Sequence, residues 1–160
     1  MAGRSISAGA GLCIVVLGAE RGRISQALRG LPVRLAVNRR WQSGQGSSIA
    51  RGIRALPRSA SHALVLAVDQ WRIEARTIRR LLSVARDRPV ASRYSGRMGI
   101  PVVFPRSWFA RLTALSGDRG AQALLNAVAV RTCDLPEAAS DLDVAADIAP
   151  ARRRGWNSRA

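Results

Sequence analysis

Ala63-Leu-Val-Leu-Ala-Val68, closed by Asp69-Gln70, is the stretch on which the fold turns. An unbroken apolar run of this length, with polar residues at either end, reads as a strand buried on both faces. Such strands belong to parallel sheets covered by helices. A carboxylate at the carboxyl end of such a strand stands where open α/β sheets bind their ligands.

Upstream, Leu12 to Leu17 and Val33 to Val37 are two further strand candidates, separated by a short helical stretch from Ile24 to Leu28. Ile49, Ile53 and Leu56 then carry helical spacing. Downstream of Asp69, Ile73, Ile78, Leu81, Leu82 and Ala85 fall on one helical face, with Arg76, Arg79, Arg80 and Arg86 largely off it. Pro89 to Ser92, Val102 to Phe104 and Val130 to Cys133 are predicted strands. Ser107 to Leu115 and Arg119 to Val128 are predicted helices. Trp108 and Phe109, in helical register with Leu112, are expected in the core. This alternation of strand and helix predicts an α/β layered fold with a largely parallel sheet. Residues 1–150 form the expected domain and 151–160, with Arg152-Arg153-Arg154, an arginine-rich tail.

The 160 residues suffice for one domain with its own core. No apolar run approaches a membrane span of about 20 residues and no secretory leader opens the chain, so a cytoplasmic protein without membrane contact is expected. The two cysteines, Cys13 and Cys133, lie in or beside apolar stretches and are expected to be buried packing. The one histidine, His62, has no partner in zinc spacing and is expected at a strand edge. The net charge is +16, and every one of the 26 basic residues is arginine. Chemistry that depends on a lysine is thereby excluded. A field this positive attracts nucleotides, phosphorylated cofactors or nucleic acid.

Three further blocks carry chemistry. Trp41-Gln42-Ser43-Gly44-Gln45-Gly46-Ser47-Ser48, with Asn38 ahead of it, joins two glycines to two hydroxyls. Arg93-Tyr94-Ser95-Gly96-Arg97-Met98-Gly99-Ile100-Pro101-Val102-Val103-Phe104 sets two arginines before a glycine and a proline. Ser116-Gly117-Asp118-Arg119-Gly120 follows. In this order the blocks resemble the MobA-like nucleotidyltransferases, nearest the molybdenum-cofactor cytidylyltransferase branch. The resemblance implies a Rossmann-like three-layer fold of the nucleotide-diphospho-sugar transferase kind, with a mostly parallel sheet. It also implies transfer of CMP or GMP from CTP or GTP to a phosphorylated acceptor of the molybdopterin type. A molybdoenzyme or a maturation factor is the implied protein partner.

Within that resemblance Asp69 stands where the family's Gly-Asp-Gln-Pro aspartate holds Mg²⁺, although Val68 and Trp71 replace the Gly and Pro. Hard Mg²⁺ takes one or two carboxylates together with phosphate oxygens and water. A strand-end aspartate can equally cap a helix starting near Arg72. Asp143, in Asp141-Leu142-Asp143-Val144-Ala145-Ala146-Asp147-Ile148, matches the second metal carboxylate, and a solvated acidic loop is the competing reading. Trp41, Gly44, Ser47, Ser48 and Gln70 match the nucleotide side of the cleft, the glycines allowing close backbone approach. Arg93, Arg97, Gly99 and Pro101 match the acceptor side.

The family's opening strand and Leu-x-Ala-Gly-x-Ser-x-Arg-Met-Gly-x-x-Lys loop have no counterpart in these residues. Leu12 to Gly18 resembles the family's second strand, so the first βα unit, on the order of 30 residues, is expected to be missing. A start site upstream of Met1, a degenerate remnant and a binding role without turnover each account for that. Two other function classes compete: an arginine-rich nucleic-acid binder, supported by charge alone and not favoured, and a non-catalytic cofactor-binding or docking module.

Overall fold

The structure is a computed structural model and describes residues 1–70, 72–118, 120–126 and 130–139. A short helix α1 (Ala2–Ser7) leads into β1 (Cys13–Leu17), then α2 (Arg21–Ala27) and β2 (Val33–Val37). β1 and β2 pair in parallel, Cys13 opposite Val33 through Leu17 opposite Val37. Helix α3 (Gln45–Arg54) returns the chain to β3 (His62–Val65). After α4 (Ala75–Val84) come β4 (Val90–Tyr94) and β5 (Arg97–Pro105), two short helices α5 (Phe109–Thr113) and α6 (Ala121–Leu125), and β6 (Arg131–Asp134).

The second sheet has the order β3-β5-β4-β6. β5 runs antiparallel to both β3 and β4, whereas β6 is parallel to β4. The sheet is therefore mixed, not mostly parallel as expected. The cause is local: Tyr94 and Arg97 are paired across a two-residue turn in which Ser95 (φ 48°) and Gly96 (φ 73°) both have positive φ. That is the backbone a tight hairpin needs to match the twist of its strands. The Ser-Gly pair reverses the chain inside a block whose apolar part alone reads as a strand. With β5 set aside, β3, β4 and β6 share one direction, so their carboxyl ends meet at one edge.

Helices cover both faces of this sheet, as the layered fold requires. The cross-strand pair Val90 and Val103 looks toward Ile78 and Leu81 of α4, with Ala85 just past its end, Ile73 and Leu135. The next pair, Ala91 and Val102, looks the other way, toward Ile49 and Ile53 of α3, Leu112 of α5 and Leu125 of α6. Alternate residues of β4 and β5 thus serve opposite cores, the period-2 rule at work. Ile78 and Leu81 are fully buried, each contributing roughly 1.5–3 kcal/mol. The arginines of α4 stay exposed on its far side. Phe104 and Trp108 lie in the α3-side core at a ring separation of 6.0 Å. His62 holds the edge of β3 through a 2.9 Å contact from Nε2 to the Arg86 carbonyl. Cys133 is buried, but Cys13 is only half-buried, on a strand that β2 flanks; burial pushes its thiol pKa up, and the nearby N-terminal amine partly opposes this.

Candidate functional site

The decisive irregularity lies in β5. Ser92 pairs with Gly99 while Ala91 pairs with Val102, so Ile100 and Pro101 bulge out of the ladder. Proline has no N–H to give to a ladder, and a bulge is where a sheet tolerates it. The bulge releases two carbonyls, and both find side-chain donors. Ser92 Oγ, fully buried, donates to the Pro101 carbonyl at 2.7 Å. Gln70 Nε2 donates to the Ile100 carbonyl at 2.9 Å.

Gln70 comes from the loop that follows β3. The strand ends at Val65, earlier than the apolar run suggests, and Val68 is 82% exposed. α4 begins only at Ala75 with Glu74 at its N-cap, so Asp69 does not cap it. The chain folds Gln70 inward instead, to 2% exposure, where Nε2 also donates to the Ala138 carbonyl at 3.0 Å. Arg4 of α1 donates to the Ile73 carbonyl at 2.9 Å, holding the same loop from outside. Two oxygens here are buried without a hydrogen-bond partner: Asp69 Oδ1 and Gln70 Oε1.

A few residues away the acceptor block forms a shallow pocket of about 480 Å³ lined by Arg93, Tyr94, Ser95, Gly96, Asp134 and Pro136. Arg93 makes a two-pronged ion pair with Asp134, Nε to Oδ1 at 2.6 Å and an Nη to Oδ2 at 3.1 Å. The guanidinium holds the Asp134 carboxyl below the usual carboxylate range, and the carboxylate raises the Arg93 pKa further. Arg97 stands 5.8 Å over the Tyr94 ring. Gly99 is closed by the Tyr94 hydroxyl, which any side chain at that position would strike. This pocket and the Asp69 loop share the 3-10 turn Pro136–Ala139. Leu135 N donates to the Arg93 carbonyl at 3.0 Å, and Thr77 Oγ1 donates to Glu137 Oε1 at 2.8 Å, so the turn is fastened at several points.

The Trp41–Ser48 block, a 3-10 turn (Trp41–Ser43) that runs through Gly44 into the first turn of α3, is built differently. Asn38, 6% exposed, donates from Nδ2 to the hydroxyls of Ser47 (2.9 Å) and Ser48 (3.0 Å), and its Oδ1 accepts from Arg40 N at 3.0 Å. Ser47 Oγ in turn sits 2.8 Å from the Gly44 carbonyl and 3.1 Å from that of Arg40. Its proton is directed inward rather than toward a ligand. Trp41 is 42% exposed and leans on Gly18, where a methyl would come within 2.7 Å of its Cβ. Gly44 (φ 104°) lies against Asp118 and Gly117, and Gly46 N donates to the Gly117 carbonyl at 3.0 Å. Two blocks separated by some seventy residues of sequence thus close on each other as a clasp. Neither Asp69 nor Gln70 hydrogen-bonds to this clasp among the described residues.

Asp143, its acidic neighbours, Trp71, Arg119 and the arginine tail lie outside the described residues. Among the described residues no cluster of three or more His, Cys, Asp or Glu side chains could hold a metal by itself, and no helix is long and apolar enough to cross a membrane. Asp134 escaped the sequence reading, although the rule that singled out Asp69 applies to it: it is a carboxylate closing a strand. Asn38 was read only as the head of a motif, and its burial marks it as the knot of the loop.

Comparison with known proteins places these features in a family. The MobA-like NTP transferase domain matches residues 1–142. Nicotine blue oxidoreductase of Paenarthrobacter nicotinovorans is 34% identical over 121 residues, 70% of this chain. The match spans only 59% of that relative's length. The solved structure of a nucleotidyl transferase from Methanothermobacter superposes with a TM-score of 0.80 at 24% identity, covering 95% of this chain and 76% of the other. Rv0371c from Mycobacterium tuberculosis gives 0.74 at 23% identity over 95% of this chain and 83% of its own. The same protein solved in complex with manganese gives 0.75 at 22% identity, over 93% and 83%. These structural likenesses speak to the fold.

Proposed function

This chain belongs to the MobA-like NTP transferase family, and on that footing we propose that it serves transfer of CMP or GMP from CTP or GTP to a phosphorylated acceptor of the molybdopterin type. The observation that carries the reading is Asp69 Oδ1, a carboxylate oxygen buried without a hydrogen-bond partner beyond the end of β3. An uncompensated buried carboxylate oxygen is costly, and a divalent cation is the partner that suits it. The residues present therefore fit the Mg²⁺ that the family implies, and a structural neighbour, Rv0371c, was solved in complex with manganese.

Asp69 would hold the cation, joined by Asp143. When bound, the cation would neutralise charge on the phosphates during in-line displacement. Trp41, Gly44, Ser47 and Ser48 would shape the nucleoside seat, the serines through the loop they fasten. Arg93 and Arg97, with Gly99 and Pro101 setting their strand, would face the acceptor phosphate. An acceptor oxygen attacks the α-phosphorus, the bond to the β-phosphate breaks, and pyrophosphate leaves. We assign this role to a domain of residues 1–150 with a tail from 151.

A second reading rests on one observation: the 34% identical relative is named as an oxidoreductase. One experiment separates the two. Purified protein is given CTP or GTP with Mg²⁺ or Mn²⁺, with and without a phosphorylated pterin, while pyrophosphate is measured. Parallel samples receive NADPH with an oxidised dye. Pyrophosphate released in step with nucleotidylated acceptor supports the transferase. Cation-dependent nucleotide binding without release leaves a binding module. NADPH oxidation without NTP binding overturns both in favour of redox chemistry.

A further inference from the structure

Gln70 is 2% exposed, and its one amide nitrogen donates to two backbone carbonyls, Ile100 at 2.9 Å and Ala138 at 3.0 Å. These two contacts determine which end of the amide is nitrogen, since the reverse orientation would press Oε1 against two carbonyl oxygens. Gln70 Oε1 is thus an acceptor with its direction set, buried, and without a hydrogen-bond donor. Leaving such an acceptor unmet costs about 1–3 kcal/mol.

The orphan is not isolated. Asp69 Oδ1, on the preceding residue, has the same deficit, and consecutive Cα atoms stand only about 3.8 Å apart. A guest that reaches both oxygens would resolve both deficits. A hydrated divalent cation offers its charge to the carboxylate and the protons of its retained waters to the carboxamide. The two carbonyls that Gln70 grips matter as well. Ile100 belongs to the bulge of β5, and Ala138 closes a turn five residues before Asp143 in the sequence.

We propose that Gln70 is the positioning residue of the cation site, its nitrogen tying the Asp69 loop to the β5 bulge and the Pro136–Ala139 turn, its oxygen accepting a hydrogen bond from water carried by the cation on Asp69. The proposal rests on the reading of Asp69 as a cation ligand. It assigns Gln70 to the metal's surroundings and not to the nucleotide.

The test is Mn²⁺ affinity of the whole chain, followed by electron paramagnetic resonance, with the metal-free melting temperature measured alongside. Gln70→Met keeps the volume and loses both hydrogen-bonding functions. It is expected to weaken Mn²⁺ about 10- to 100-fold, the scale for outer-shell partners of metal ligands. Gln70→Glu is the conservative rescue. Its carboxylate keeps the acceptor that faces the cation's water and adds a negative charge beside the ion, while losing the donor to the two carbonyls. Its Mn²⁺ affinity should exceed that of the wild type by about tenfold, while its metal-free melting temperature falls.

A Gln70→Met protein that melts lower yet binds Mn²⁺ like the wild type overturns the proposal, because a merely structural glutamine behaves that way. If Gln70→Met does not fold, Gln70→Glu decides: Mn²⁺ affinity raised severalfold over the wild type supports the proposal, and affinity that is unchanged or lowered overturns it. Wild-type protein that binds no Mn²⁺ refutes the reading of Asp69, and this inference with it. Wild-type binding indifferent to Gln70 refutes the inference alone.

Discussion

Two loops of this molecule look alike in the sequence and differ in their hydrogen-bond accounts. The Trp41–Ser48 loop meets its own needs: Asn38 joins Ser47, Ser48 and Arg40, and Gly46 reaches the Gly117 carbonyl. The Asp69-Gln70 loop spends its amide on Ile100 and Ala138 and leaves two oxygens buried without partners. The first is a finished scaffold, able to offer shape and backbone to a ligand without rearrangement. The second is complete only with a guest that brings positive charge or protons. A polar loop therefore announces a ligand less by its composition than by what remains unsatisfied after folding.

The hardest blow to this contrast is Asp69→Asn. If the loop waits for a cation, removing the charge should lower divalent-ion affinity, and any nucleotidyl turnover, by about 10²–10³-fold, the scale of deleting one preorganised electrostatic contact. The metal-free fold should hold or gain, since an amide is cheaper to bury than a carboxylate. Titration with Mn²⁺ beside a thermal melt reads both. A variant that loses stability but binds Mn²⁺ unchanged would make Asp69 an ordinary structural residue.

The clasp should fail in the opposite manner. Gly44→Ala puts a side chain on a backbone at φ 104° and drives it into Asp118. A loss of about 2–3 kcal/mol in folding stability is expected, with Mn²⁺ affinity retained wherever the protein remains folded. Asn38→Ala is milder. It strips three hydrogen bonds from a buried knot and should cost about 2 kcal/mol, or roughly 4–8 °C in melting temperature for a domain of this size. Chemical denaturation of both variants orders them. If either abolishes Mn²⁺ binding in a folded protein, the two loops form one site and the contrast collapses.

These distinctions were only partly legible in the sequence. Strong periodicity delivered the strands at Cys13 and Val33, the buried face of α4 and the layered architecture, because apolar runs and helical spacing are local signals. The hairpin was not read, since its two positive-φ residues, Ser95 and Gly96, lie inside a block whose glycines had another explanation. The apolar run before Asp69 reads longer than the strand it contains because hydrophobicity marks burial, not hydrogen bonding, and Leu66 and Ala67 stay partly buried beyond the ladder. The sequence pattern sets Gln70 among the residues on the nucleotide side. Only the bulge at Ile100 and Pro101, which depends on the pairing of β4 with β5, shows why it turns inward. The pairing of Arg93 with Asp134 was hidden for the same reason: it exists only because β4 and β6 lie side by side.

That ion pair supplies the smallest effect and a sharp one. Both side chains are more than half exposed, so the pair is screened and adds little to folding. Its signature is in titration. Hydrogen bonding to Arg93, more than any other cause, holds the Asp134 carboxyl below its ordinary range. A depressed folded-state pKa means a contribution present above the unfolded carboxylate value and lost as pH falls through the folded one. Arg93→Ala should leave the melting temperature at pH 7 unresolved from the wild type. The Asp134 carboxyl resonance should then titrate at higher pH, toward the ordinary carboxylate range. If Arg93 also meets the acceptor phosphate, affinity for a phosphorylated ligand falls roughly tenfold in the same variant, the scale of one charge-assisted contact. Affinity that stays level while the Asp134 titration moves would leave the pair as a fastening of β4 to β6. The acceptor side would then rest on Arg97.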